Sequence, residues 1–276
     1  SVLNATDPPS AMRAAMFTVI AIIGIGAVLT LPRDADSFSM TLAVAAFIVL
    51  GLCYAGLVVF PNEAMHLGES LEPQHEGFWR GLFTHKNVAG PVVACLGFGG
   101  FYLWRRGWAW SGAAIFILAM VFMSNTGSKT TLALVPLAML PVIVPGLIGM
   151  RFLAPLFFIL SMAVMALATL GIVFIDPLKQ LAAELSPELT YTGRTSLWEF
   201  SGEMILKRPW TGYGYESFWD TPVVYNVDQP FDRAWDIRGI VHGHNSYLDL
   251  AVIMGIPALV VAAIAFLIVP MRDFLR

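Results

Sequence analysis

Long apolar stretches constrain this chain more than any other feature of its sequence. Of its 276 residues, 57% are hydrophobic and 13% are charged, and the mean hydropathy is +0.72. Soluble globular domains carry about 25% charged residues, so this composition excludes that class. A helix of about 20 apolar residues crosses the ~30 Å hydrocarbon core of a bilayer. The sequence therefore predicts an integral membrane protein.

Seven stretches are apolar and long enough to form membrane-spanning helices: 14–31, 41–60, 88–104, 108–124, 130–149, 152–175 and 247–270. Glycines in the third and prolines in the fifth are tolerated where neighbouring helices satisfy the freed backbone groups. The sequence shows no alternating strands of the barrel type, the other way to span lipid. We predict an all-α polytopic membrane protein. Its regions are 1–175 with six spans, 176–246 as a long external loop carrying site residues, and 247–276 with the last span.

Positive charge predicts the orientation. Successive connections between spans lie alternately on the two sides of the membrane. This assignment places one group of arginines on the same side: Arg33, Arg105, Arg106, Arg151, Arg272 and Arg276. Such short basic connections are cytoplasmic. The other side receives 61–87, 124–130 and 176–246, the last with ten acidic and six basic residues, and these should be external. Residue 1 then lies outside and no signal-peptide pattern follows it, which favours a fragment of a longer protein with spans upstream.

All five histidines lie in these external segments. Arg80 and His85, in GFWRGLFTHKNVAG, stand directly before a span and are candidate contacts for a substrate that donates or accepts a chemical group. The alternative is that they anchor the chain at the membrane interface beside an aromatic belt. In SNTGSKTT, Gly127 permits a tight turn and Lys129 adds a cation among hydroxyls, as in a phosphate cradle. This turn lacks the spacing of a nucleotide-binding P-loop. The alternative to a phosphate cradle is that Lys129 is simply solvated.

The long segment 176–246 predicts two helices. One is amphipathic on the membrane surface, with apolar residues at helical spacing: Leu178, Leu181, Ala182 and Leu185. The other starts near Thr195, with Leu197, Phe200, Met204 and Trp198 facing inward. Arg194 would lie at its N-terminus, where a guanidinium and free backbone N–H groups bind anions. A surface arginine paired with Glu199 or Glu203 is the alternative.

Aromatic and histidine motifs follow. Trp210, Tyr213 and Tyr215, in KRPWTGYGYESFWD, either stack on sugar rings or pack the loop against lipid. His242 and His244 precede the last span, but two histidines do not complete a zinc site, so no metal is predicted. A histidine acting as general base is better supported, because its pKa lies near neutrality, and Asn245 can orient neighbours or substrate. Asp249, one helical turn later, is either functional or hydrated.

Five motifs in order resemble the O-antigen ligase and polymerase superfamily, including exopolysaccharide polymerases: GLFTHKNVAG, SNTGSKTTL, TGRTSLW, WTGYGYESF and HGHNSYLDLAVIMGIPA. The resemblance covers about residues 78–270. It implies a membrane glycosyltransferase that moves a glycan from an undecaprenyl diphosphate carrier to an acceptor hydroxyl. The reaction would take place on the outer face of the bacterial inner membrane, without metal or other cofactor. The implied partners are the lipid-linked glycan, a glycan or lipid acceptor and membrane lipid, with no nucleic acid.

The resemblance also implies roles for single residues. Arg194 resembles the arginine that holds the donor diphosphate, His244 the proposed catalytic base, and Gly255 the glycine that closes the histidine motif. Lys129 stands where ligases usually carry a second arginine, and Ala258 where they often have Gly, Thr or Tyr. Because lysine lacks the bidentate fork, these departures favour a surface-polysaccharide polymerase over an O-antigen ligase acting on lipid A core.

Two alternative functions, from other classes of membrane protein, remain compatible with the sequence. A transporter of polysaccharide or lipid-linked solute would line its path with the same basic residues. The ionisable residues cluster at one face, however, whereas a transport path needs some near the midplane. A membrane scaffold that binds a partner through its external loop is the other alternative.

Overall fold

The computed structural model describes residues 2, 5–67, 73–147, 149–150, 153–185, 194–227 and 236–270. Within these ranges every regular element is helical, and one isolated antiparallel bridge joins Met65 to Trp79. The predicted all-α fold class is confirmed for this part of the chain. Gly193 and the segment 228–235 lie outside the described residues, as do Arg151, Arg272 and Arg276, which entered the orientation argument.

The helices follow one another along the chain as α1 (Pro8–Thr30), α2 (Ala35–Val59), α3 (Pro61–Ala64), α4 (Lys86–Arg105), α5 (Ala109–Asn125), α6 (Lys129–Leu147), α7 (Ala154–Ala166), α8 (Ile172–Phe174), α9 (Asp176–Leu185), α10 (Arg194–Lys207), α11 (Pro222–Tyr225), α12 (Ser246–Met254) and α13 (Ile256–Ala263). A 3₁₀ turn covers Pro73–His75, and π-helical turns cover Leu167–Gly171 and Ile264–Ile268.

Four helices are long and apolar enough to cross a membrane: Pro8–Thr30, Ala35–Val59, Lys86–Arg105 and Ala154–Phe174. Three further predicted spans correspond to shorter apolar helices, at Ala109–Asn125, Lys129–Leu140 and Ile256–Ile268, so seven spans are not confirmed. On α1, Ile20, Ile22 and Ile23 are exposed, as lipid-facing side chains are.

The chain divides into two compact units, Ile25–Leu140 (the central unit) and Ser1–Gly24 with Pro141–Arg276 (the terminal unit). The core of the central unit packs α4 against α5 and α2, around Leu50, Val93 and Phe122. Glycines allow a close approach of α4 and α5: a Cβ at Gly100 would lie 2.7 Å from the backbone nitrogen of Phe116. Small residues serve this purpose at membrane helix interfaces.

The core of the terminal unit is built on α10. Its buried residues Leu197, Trp198, Phe200 and Met204 lie on the face that the sequence predicted to point inward. They pack with Phe218, Ile237 and Val252. Helix α9 confirms the predicted helix over 178–185.

The last predicted span, 247–270, is not one continuous helix, contrary to the sequence prediction. It breaks at Gly255, which has φ +85°, and α13 follows with a proline in its first turn. The Tyr213 N–H donates to the Val252 carbonyl (3.0 Å), and the Gly214 N–H donates to that of Ile253 (2.9 Å). The helix can end inside the unit because the WTGYGY loop satisfies carbonyls that the next turn would otherwise use.

Candidate active site

Arg194 is the first residue of α10, as the sequence predicted. The buried face of the helix anchors it in the terminal core, so the guanidinium starts from a rigid element. Its Nε atom is buried and has no hydrogen-bond partner among the residues that the structure describes. A buried donor left unsatisfied is costly, whereas an anionic ligand would satisfy it. Arg194 is thus suited to hold a phosphate at a helix N-terminus.

The HGHNS loop, residues 242–246, leads directly into α12. Asn245 is the N-cap, and its side-chain oxygen accepts from the N–H groups of Tyr247 (3.1 Å) and Leu248 (3.2 Å). His244 before it has φ +56°, a left-handed conformation that is uncommon for residues other than glycine. Such backbone strain persists where the surroundings hold it and clusters at functional sites. The imidazole is thereby presented at the start of α12.

Two side chains bond to the backbone of Gly243 in this loop, and a third bonds to one of the two. Trp198 Nε1 donates to the Gly243 carbonyl (3.0 Å), and the Gly243 N–H donates to Asp249 Oδ1 (2.9 Å). Trp219 Nε1 donates to the same carboxylate oxygen (2.7 Å). A Cβ at position 243 would lie 2.8 Å from Asp249 Oδ1, so a larger residue would displace the carboxylate from this position. Asp249 is therefore a positioning residue for the loop that carries His244.

The electrostatic environment keeps His244 neutral. The side chain keeps contact with solvent, yet the protein atoms around it remove part of its hydration. This desolvation, the neighbouring His242 and the positive charge of Arg194 lower the pKa of His244 to about 4. The rings of His242 and His244 meet edge to face, with centroids 4.2 Å apart. A neutral imidazole beside a guanidinium pairs a proton acceptor with an anion-binding group.

The three aromatic candidates of the WTGYGY motif lie in different surroundings. Tyr213 is only 6% exposed and packs in the terminal core, so its ring does not present a face for sugar stacking. Trp210 is 74% exposed and lies beside Lys207 and Arg208 in an open cavity. The Tyr215 hydroxyl is within 2.7 Å of the Thr18 hydroxyl on α1. Of the three aromatic candidates, Trp210 alone offers a fully open ring.

In the central unit, the SNTGSKTT turn joins α5 to α6, with Gly127 at φ +62°. Three of its hydroxyls make local hydrogen bonds: Thr126 donates to the Met123 carbonyl (2.7 Å), and Ser128 and Thr131 bond to each other (2.9 Å). Lys129, at the start of α6, is exposed. A phosphate contact at this turn would therefore come from the Lys129 ammonium.

Arg80 and His85 hold the 61–87 loop together. Arg80 Nε donates to the Glu63 carbonyl (2.9 Å), and Nη1 donates to that of Thr84 (3.3 Å). His85 is the N-cap of α4, and its Nδ1 accepts from the Asn87 N–H (3.1 Å). Both residues thus have structural partners within the central unit.

The family model described as O-antigen ligase matches residues 112–263, or 152 of the 276 residues. The chain belongs to the O-antigen ligase family. No curated protein and no solved structure matches it. The matched range of this O-antigen ligase family member holds both Arg194 and His244, whereas Arg80 and His85 lie outside it. The apolar helices agree with an integral membrane protein of the O-antigen ligase and polymerase superfamily.

The structure brings Arg194, His242, His244 and Asn245 together in the terminal unit, whereas Lys129, Arg80 and His85 belong to the central unit. Sequence reasoning missed the hydrogen bonds of Trp198 to Gly243 and of Trp219 to Asp249, because a tryptophan in an apolar context predicts packing and not a hydrogen bond. It also missed a second histidine group in this family member, at His66, His75 and His85. Their spacing follows no metal-binding pattern.

Proposed function

We propose that this protein is an inverting, metal-independent membrane glycosyltransferase that polymerises an undecaprenyl diphosphate-linked glycan during surface polysaccharide biosynthesis. The observation that carries the proposal is the pairing of a neutral His244 with Arg194 at the start of α10. We place the reaction at the external face of the bacterial inner membrane, in line with the charge distribution of the sequence.

His244 would act as the general base. The acceptor hydroxyl attacks the anomeric carbon from the face opposite the diphosphate, its proton passes to the His244 imidazole, and the bonding electron pair of the anomeric C–O bond leaves with the diphosphate. A pKa of about 4 keeps the imidazole unprotonated at neutral pH. Donor binding would add negative charge beside Arg194, and this raises the proton affinity of His244 when the proton must be accepted.

Arg194 would stabilise the charge that develops on the leaving diphosphate. Its buried Nε lacks a partner among the described residues, and its planar fork matches two phosphate oxygens. Lys129 would add a second positive charge, as the superfamily resemblance implies. Such electrostatic stabilisation is usually the largest catalytic term.

The remaining candidates would contact the glycan. Trp210 offers an open ring for stacking on a sugar, and His242 and Asn245 lie on the same loop as His244. A largely apolar groove of about 530 Å³ beside α10 is lined by Phe174, Ile205, Leu206 and Leu248, together with Gly202 and the carboxylates of Glu199 and Glu203. We assign the isoprenoid part of the donor to this groove, because Arg194 begins the same helix.

The test is to incubate the protein, in lipid and with chelator, with undecaprenyl diphosphate-linked repeat units and to resolve the products by size. A ladder of lengthening glycans that is lost in His244→Ala and Arg194→Gln is expected. Arg238→Gln is the matched control, since Arg238 forms a surface ion pair with Asp236 (2.7 Å). Transfer only after lipid A core is added would show a ligase instead. Movement of the donor across the bilayer without new glycosidic bonds would show a transporter.

A further inference from the structure

Three histidines of the central unit converge, although they are nine and ten residues apart in sequence. Each of His66, His75 and His85 offers one nitrogen, and these atoms all lie within 4.8 Å of one another. The ring centroids are 4.8 Å apart for His66 and His85, 5.4 Å for His75 and His85, and 5.7 Å for His66 and His75. All three rings are half-buried, so a bound ion would keep access to solvent.

The backbone holds this arrangement from several sides. The His66 N–H donates to the Phe78 carbonyl and the Gly77 N–H donates to the His66 carbonyl, both at 2.9 Å. The adjacent bridge between Met65 and Trp79 continues this pairing. His75 lies in the 3₁₀ turn between the paired segments, and His85 begins α4. The described parts of this loop, 61–67 and 73–87, thus bring imidazoles from three separate positions to one place.

We propose that His66, His75 and His85 form a binding site for a divalent transition-metal ion, with Zn²⁺ as the best-matched ion. Neutral imidazole is a ligand for zinc, copper and nickel, and three histidines leave a coordination position open for water. Zn–N bonds of about 2.0–2.1 Å in a tetrahedron place the nitrogens about 3.3 Å apart, so small side-chain rotations close the site.

Binding has a structural consequence at the start of α4. His66 Nε2 accepts from the Lys86 N–H (3.0 Å), and His85 Nδ1 accepts from the Asn87 N–H (3.1 Å). A neutral ring that accepts at one nitrogen carries its proton on the other. Metal coordination therefore requires these two rings to release the backbone N–H groups, which helix N-termini can pass to water. We expect the amides of Lys86 and Asn87 to exchange faster with deuterium when metal is bound.

The experiment is a titration of the detergent-purified chain with Co²⁺, followed by Zn²⁺ displacement, using an affinity tag that contains no histidine. We expect one Co²⁺ per chain with the visible spectrum of a four-coordinate site. His75→Gln should weaken binding more than about 100-fold, because even the partners of metal ligands typically contribute 10–100-fold. His66→Gln is the second variant, and circular dichroism confirms the helix content of both.

The control is the double variant His242→Gln/His244→Gln, which removes the other histidine pair and should bind Co²⁺ as tightly as the unchanged chain. A spectrum that stays that of the aqueous ion overturns the proposal. So does wild-type affinity in His75→Gln, or loss of binding in the double variant. The titration measures binding alone, so its outcome does not depend on the proposed transfer reaction.

Discussion

Two loops of this protein place histidine and arginine at the start of helices, yet they use these residues differently. In the 61–87 loop, Arg80 donates to two backbone carbonyls, and His85 caps α4 from an extended backbone with φ −148°. In the HGHNS loop, His244 stands at φ +56°, and Arg194 nearby keeps a buried Nε without a partner among the described residues. The same residue types hold a loop together in one place and, in the proposed mechanism, contact the substrate in the other.

The sharpest test of this contrast compares His244→Ala with His85→Ala. A positioned general base contributes about 10²–10⁴-fold, so His244→Ala should lower kcat by that factor with an unchanged helix content. His85→Ala should lower kcat by less than about tenfold, since losing a cap costs only about 1 kcal/mol of stability. Both rates are measured with the glycan-ladder assay. Equal losses in the two variants would remove the distinction between the loops.

The hydrogen bonds to Gly243 give the second test. Asp249→Ala removes the carboxylate that accepts from Gly243 and Trp219, so the loop carrying His244 keeps only the hydrogen bond from Trp198 to Gly243. We expect kcat to fall about tenfold, which corresponds to about 1.4 kcal/mol, close to the lower end for a hydrogen bond to a charged group. Asp249→Asn keeps an accepting oxygen and should recover most of the rate. An Asn variant as slow as the Ala variant would point to a role for the negative charge itself.

The pH dependence of kcat/KM tests the low pKa of His244, independently of where the imidazole lies in the site. Because the pKa of His244 is lowered to about 4, kcat/KM should stay level as the pH falls through 6.5 and decline only near pH 4. Arg194→Gln removes a positive neighbour, so protonated His244 becomes easier to form and the decline should move to higher pH. A decline near 6.5 in the unchanged protein would show that the ring is not desolvated as the structure indicates.

The smallest effect is expected on stability in the central unit. His85→Ala removes the acceptor for the Asn87 N–H and should lower the free energy of unfolding by about 0.5–2 kcal/mol. His85→Asn, which can cap a helix in the same way, should recover most of this loss. Thermal unfolding in detergent, with chelator present, measures both variants. No change in His85→Ala would mean that water replaces the cap without cost.

Much of the site's local structure could be predicted from the sequence, because it depends on contacts between near neighbours. The start of α10 at Arg194, its inward face and the capping position of Asn245 before α12 follow from apolar spacing and from residue types. The break at Gly255 could not be predicted in this way. It depends on carbonyls of Val252 and Ile253 that are satisfied from residues 213 and 214, about forty positions away. The hydropathy of the sequence shows only one continuous apolar run over the predicted span 247–270.

The sequence by itself determined the membrane character, the helical class and the family to which the chain belongs, since these follow from composition, periodicity and ordered motifs. Only the tertiary structure decided the state of the side chains. It buried Tyr213, joined the hydroxyls of Ser128 and Thr131 by a hydrogen bond and gathered His66, His75 and His85. The physical reason is that burial, hydrogen bonding and pKa depend on which distant residues become neighbours. A one-dimensional pattern does not specify those neighbours.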